Sequence, residues 1–364
     1  MAQLWRVIAP ERKETTGSLG TLDEALLSGS AAGLVPLLAV PLHQHRFVAT
    51  PRRRQAITNN SSVEISSAKV ARVRTHDSQP IAPNAPKTLS SLSSHVHCII
   101  FRYLDNPFDA LRLSLTNRYF WAVGLRRLED FIMESLAPWA GERIVCVSDE
   151  SDPRAIPDEI LNETEKADLE ELKGIYDLSN SAPTHGWRTV GAPVLPEELR
   201  KFVVEYEATH PMSEADHAEI MMGLKPEMLD FYPRDQPWIL RNLTTKEYVR
   251  GEVIALKGEF VQGPNIEVLG FAEILVSRIS WSSREAYFGR DKNLAHGKWA
   301  GHRFDITTLP AHEERAGNDG WRDVSDEVLR DLDVIIGSQK GDDWREHMSR
   351  RRQKSISSMR LGYT

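Results

Sequence analysis

Three helical periods follow one another without a break between Ser93 and Ile132, and they constrain this chain more than any other feature. Val96, Ile99, Ile100, Tyr103 and Leu104 recur at the i, i+3, i+4, i+7, i+8 spacing of one helix face, with Ser93 or Ser94 placed to cap it. Asn106-Pro107 opens the next segment, since Asn accepts hydrogen bonds from free amides and Pro presets φ at the first helical position. Phe108, Leu111 and Leu115 then share a face. Thr116 or Asn117 caps the third, whose apolar stripe is Phe120, Trp121, Leu125, Leu128 and Ile132. Short links between such segments predict a three-helix unit over residues 89–133.

The chain on either side reads differently. Residues 1–88 mix Ser, Ala, Pro and Gly with no sustained period, and Thr75–Lys87 is spaced by prolines, so this region is expected to be disordered. Arg52, Arg53 and Arg54 read as a solvated arm or part of a nuclear import signal. The start of the chain shows no basic segment followed by an apolar core, which argues against secretion. Ala31–Leu42 carries Pro36 and Pro41 and falls well short of the roughly 20 apolar residues that cross a bilayer. A cytoplasmic or nuclear location and no membrane partner are therefore expected.

Beyond residue 133, Trp139–Val147 ends in a predicted strand, Asn162 and Glu165 make a capping box, and helices are predicted from Pro196 and from Ser213. After Asp235 the runs 238–243, 247–256, 266–281 and 299–306 read as extended, and Val324, Val328, Leu332 and Ile335 as a last helix. The fold class expected is α+β, with the three-helix module followed by a mixed domain, 134–337, of helices and a mainly antiparallel sheet. Residues 338–364 are expected to be a flexible basic tail.

Chemistry is sparse. Cys98 and Cys146 are too few for a disulfide framework or a cysteine-rich metal site. Residues 1–88 hold 11 Lys and Arg against 6 Asp and Glu, and residues 340–364 hold 7 against 3, which leaves 27 basic and 43 acidic residues between them. That acidic middle disfavours nucleic acid, whose phosphates need concentrated Lys and Arg. No zinc, calcium or phosphate-binding motif and no nucleophile elbow is present, so no metal, cofactor or catalytic residue is expected. The aromatic residues of 232–321 read mainly as core; the local set with most to offer a target is Trp299, His302 and Arg303.

LSSHVHCIIFRYL at 92–104, followed by DNPFDALRLSLTNRYFWAV, resembles the F-box, with Leu92, Val96, the Ile100-Phe101 pair and the Tyr103-Leu104 pair in the family's register. Ser93 stands where the family has proline and His95 where it has an acidic residue. The resemblance implies docking on a Skp-type adaptor, and through it on cullin, by Leu92, Val96, Ile99, Ile100, Leu104 and Leu111. QPWILRNLTTKEYVR at 236–250 and WAGHRFDITTL at 299–309 resemble segments of an uncharacterised group of fungal F-box-containing proteins. The function implied is that of a non-catalytic substrate-recognition subunit of a Skp–cullin–F-box ubiquitin ligase, with an unknown protein target. Two alternatives stand beside it: a ligand-binding or enzymatic C-terminal domain whose helical unit serves a non-ligase interaction, and a unit that binds the adaptor without recruiting cullin.

Overall fold

Residues expected to lack structure supply the central strand of a sheet. In the computed structural model of the chain, which describes residues 3–42, 89–172, 175, 186–191, 194–225, 231–283, 292–316 and 320–361, strand β1 (Trp5–Ala9) is buried at all five positions. It returns as β2 (Glu14–Thr15), and α1 (Leu22–Leu27) then starts on a capping box of Thr21 and Glu24 and leads to α2 (Val35–Leu38). The expectation of disorder is thus corrected for residues 3–42. A five-residue strand has no period of its own to read, and of its two partners β2 is only two residues long and the other lies beyond residue 140. The Arg52–Arg54 triplet and the Thr75–Lys87 linker lie outside the described residues.

Two units make up the chain, Gln44–Arg127 and the remainder, Met1–His43 with Leu128–Thr364. In the first, α3 (Ser94–Arg102), α4 (Pro107–Ser114) and α5 (Arg118–Ser135) occupy the three segments whose period predicts helices. Each cap is a side-chain oxygen. Ser93 Oγ accepts from the Val96 N–H at 3.4 Å, Asn106 Oδ1 from those of Phe108 and Asp109 at 2.8 and 3.3 Å, and Asn117 Oδ1 from that of Phe120 at 2.9 Å. Gly124 of α5 lets its neighbours come close, since a Cβ there would sit 2.1 Å from Ser114 Oγ and 2.5 Å from the Phe101 ring. The unit's edge falls at Arg127, inside α5, rather than at residue 133.

The larger unit continues with β3 (Val145–Ser148), α6 (Glu163–Glu171), β4 (Arg188–Thr189), α7 (Leu195–Thr209) and α8 (Glu214–Gly223). Then come β5 (Trp238–Asn242), β6 (Glu247–Arg250), α9 (Gly251–Ile254), the hairpin β7 (Val261–Gln262) and β8 (Asn265–Ile266), and α10 (Phe271–Ile279). The chain closes with β9 (Ser280–Trp281), β10 (Phe304–Thr308), α11 (Leu309–Ala316), β11 (Arg322–Asp323), α12 (Ser325–Lys340) and α13 (Trp344–Leu361). The class is mixed α+β.

Three expectations are corrected here. Residues 271–279 form a helix, every residue of it buried; its run of aliphatic and aromatic residues, flanked by further extended-looking sequence, reads like a strand. Gly251–Ile254 turns helical where an extended run was expected. The tail expected from residue 338 is instead the end of α12 and all of α13, anchored by buried Trp344 and by an Arg352–Glu267 ion pair at 2.9 Å.

The two large sheets are one motif used twice. Their order is β4-β2-β1-β3-β9 in one and β10-β5-β6-β11 in the other, antiparallel at the centre, with parallel outer strands β4 and β9 in the first and β11 in the second. Registers match position by position: Trp5 faces Ser148 as Trp238 faces Thr308, and Ala9 faces Glu14 as Asn242 faces Glu247. Glu14 pairs with Arg188 as Glu247 pairs with Arg322. The sequence repeats accordingly, as WAGER at 139–143 and WAGHR at 299–303, and as GWRTV at 186–190 and GWRDV at 320–324. Each copy lends its next extended segment to the other's sheet, since β9 pairs with β3 while Ala39 bridges Ile306 of β10. One sheet was expected; a five-stranded and a four-stranded sheet built on the same motif are found, with the β7–β8 hairpin apart.

Candidate functional site

On α3 the side turned into the helical unit is taken by His97 and Phe101, one turn apart and both buried. The apolar stripe lies on the remaining face. Leu92 is 42% exposed, Ile99 37% and Tyr103 79%, while Val96, Ile100 and Leu104 are half-buried beside them. Of the ten exposed large hydrophobic residues among those described, five fall between Leu89 and Tyr119, so exposed apolar side chains concentrate in the helical unit.

A buried histidine holds this face in place. The carbonyl of Leu89 can only accept, so His97 Nε2 donates to it at 2.8 Å, which leaves Nδ1 to accept from the Tyr119 hydroxyl at 2.8 Å. The ring also meets Phe120 and Tyr119 edge-on, at 5.0 and 5.4 Å. These contacts tie the turn before α3 to the start of α5. A recess of about 340 Å³ opens here, lined by Leu92, His97, Asn117, Tyr119 and Phe120.

Of the six residues that the F-box resemblance marks for adaptor contact, Leu92, Val96, Ile99 and Ile100 share the outward stripe and Leu104 lies half-buried at its end. Leu111 does not belong with them, because it is fully buried on the inner side of α4. Leu89 and Tyr119 were not anticipated there, and Tyr103, read as part of the stripe, was not among the six. Ser93, in the place where the family has proline, is the N-cap of α3, and His95 is exposed.

In the larger unit, Trp299, His302 and Arg303 are brought together at a turn, Trp299 buried, His302 half-buried and the Arg303 side chain partly exposed. Trp299 is 2% exposed; its indole N–H donates to Glu247 Oε2 at 2.9 Å, and the Arg278 guanidinium lies 5.0 Å over its ring. The expectation that it contacts a target is corrected: a tryptophan so large and so enclosed is core. His302 Nδ1 contacts the Asn242 side-chain amide at 2.9 Å, and burial holds its pKa below the usual histidine range, only partly opposed by Glu247. Arg303 donates to the Gly141 carbonyl at 3.0 Å and to Glu11 Oε1 at 2.5 Å.

The same construction stands in the other copy. Trp139 donates to Glu14 Oε2 at 2.7 Å, and Arg188 pairs with Glu14 as Arg322 does with Glu247. Burial works against ionising Glu14, yet the Arg12 side chain and the Trp139 N–H hold its pKa below the usual carboxylate range. The turns meet head to head: the Gly141 N–H donates to the Phe304 carbonyl at 2.8 Å, and the Gly301 N–H to the Ile144 carbonyl at 3.1 Å. Both glycines adopt positive φ, 82° and 77°, a conformation that side-chain-bearing residues disfavour. The repeated WAG-x-R and GWR-x-V strings were the available signal for this pairing.

An open groove of about 680 Å³ runs past Glu11, Lys13, Asp158, Glu163, Glu165 and Asp168. Its charges are largely matched, Lys13 to Asp168 at 2.7 Å, Arg143 to Glu165 and Lys166 to Asp158. Among the described residues no group of three or more His, Cys, Asp or Glu could hold a metal ion, and no helix is long and apolar enough to cross a membrane. No family model matches the chain, and neither the curated proteins nor the solved structures contain a match.

Proposed function

We propose that this chain is a substrate-recognition subunit of a Skp–cullin–F-box ubiquitin ligase, in which the helical unit docks on a Skp-type adaptor and the α/β unit holds a protein target. The observation that carries the reading is the direction of the α3 stripe. Leu92 and Ile99, placed by resemblance at the adaptor contact, are exposed and Val96 and Ile100 half-buried, while His97 and Phe101 fill the unit's own buried side.

Docking of this kind works by apolar burial, at roughly 25 cal/mol per Å² before ordering costs. Such a subunit needs no catalytic residue. Tethering a target beside the conjugating machinery raises its effective concentration to about the millimolar range, so a modest grip on the target is enough.

Affinity capture of the full chain beside a Leu92→Asp, Ile99→Asp variant tests the reading. Both side chains are exposed, so circular dichroism of the variant should match wild type. Recovery of a Skp-type adaptor and cullin by wild type, with loss from the folded variant, is the expected result. Equal recovery by both proteins, or none by wild type, sinks it.

A further inference from the structure

The two copies in the α/β unit differ most on the outer faces of their sheets. In the first, Ile8 stands opposite Val145, and with Val147 and Trp187 they pack under Leu161, Leu169 and Leu172. The matching positions in the second are Arg241, Asp305, Thr307 and Trp321. Arg241 and Asp305 form a buried bidentate pair, Nε to Oδ1 at 2.7 Å and Nη2 to Oδ2 at 2.6 Å, and Thr307 Oγ1 is buried without a hydrogen-bond partner. An apolar pair fills the same register in the first copy, so the fold does not require charge here. Buried ion pairs seldom stabilise more than well-packed apolar residues would.

The covers differ as well. Over the first copy lies a charged segment that turns Ile156, Leu161, Leu169 and Leu172 inward; beside the second lies α11, on which only His312, 5% exposed, is buried among residues 309–315. His312 Nδ1 lies 3.3 Å from Arg241 Nη1, and its ring meets Trp321 edge-on at 4.7 Å and Tyr248 at 5.4 Å. The Arg241 guanidinium in turn lies 5.5 Å over the Trp321 ring. A guanidinium only donates, so Nδ1 must be an unprotonated acceptor and the contact exists only for the neutral imidazole.

We propose that α11 is a flap pinned by His312, closed over Arg241, Asp305, Thr307 and Trp321 while the imidazole is neutral and released when it takes up a proton. Protonation would set a second cation against Arg241. Asp305 is the acid on the facing strand, and Arg241 already engages both of its oxygens; Glu313 sits exposed on α11 itself. On β6, Tyr248 meets the His312 ring and stays protonated because burial raises its pKa, while Glu247 pairs with Arg322 and Arg250 with Asp323. Burial first, and then Arg241, hold His312 below the usual histidine range, which puts release on the acid side of neutrality.

Hydrogen exchange of the full-length protein, followed by mass spectrometry and normalised for intrinsic rates between about pH 7.5 and about pH 5, reads the flap directly. Peptides over α11 and Trp321 should gain exchange as the pH falls while those over α12 do not, and His312→Gln should remove the dependence. Exchange over α11 that is flat with pH in wild type overturns the proposal, as does an undiminished pH response in His312→Gln. The wild-type profile can overturn it alone, so the test survives a variant that does not fold.

Discussion

Glu273 shows how little a single residue's letter says about its chemistry. At the third position of α10 it reaches back to the Gly270 N–H at 2.8 Å, as a capping glutamate does, but it is buried with the whole helix. Burial raises its pKa from the usual 4.5 to about 7. Between those values the folded protein keeps a proton that the unfolded chain has released. Its contribution is therefore full below the unfolded value and is lost as the pH rises towards about 7. Glu273→Gln keeps an acceptor for Gly270 and removes the titration, so denaturant stability of wild type minus variant should fall across that window and then level off. A difference that stays flat with pH would show that Glu273 is ionised in the folded protein. His302 and His312, both depressed by burial, act with the opposite sign and lose stability as the pH falls below the usual histidine value.

Elements were legible in proportion to how unevenly they are buried. The helices α3, α4, α6, α7, α8 and α12 each turn one face inward and carry their caps or stripes openly, whereas α10 is buried all round, its Glu273, Ser277 and Arg278 included, and its aliphatic run looks like a strand. Of the α3 stripe the sequence disclosed Val96, Ile99 and Ile100 but not which of its sides would be buried, because a period of 3.6 marks a face without saying what it meets. The β5–β10 ladder carries a prediction of its own. Arg241→Ile alone leaves Asp305 buried without its partner and should cost about 3–5 kcal/mol in denaturant melts, whereas Arg241→Ile with Asp305→Val copies the first sheet's pair and should stay within about 1 kcal/mol of wild type. A double variant as unstable as the single one would show that the sheets are not interchangeable at this position.

At the scale of the whole molecule, equivalence of the two copies can be measured. Trp139→Phe and Trp299→Phe each remove an indole donor from a largely buried glutamate, Glu14 in one copy and Glu247 in the other. Each should cost about 1–3 kcal/mol in denaturant melts of the full chain, and by similar amounts. Costs that differ by several-fold would mean that only one node carries the fold. Local period and capping chemistry, which act over four or five residues, are written in the sequence, and they determined the helical unit and most of the helices. Tertiary structure alone decided that Trp5–Ala9 is a strand, that 344–361 is an anchored helix and that the WAG-x-R turns meet. Such pairings join residues far apart in the chain, and the energy that favours them comes from shared burial, which no local stretch of sequence contains.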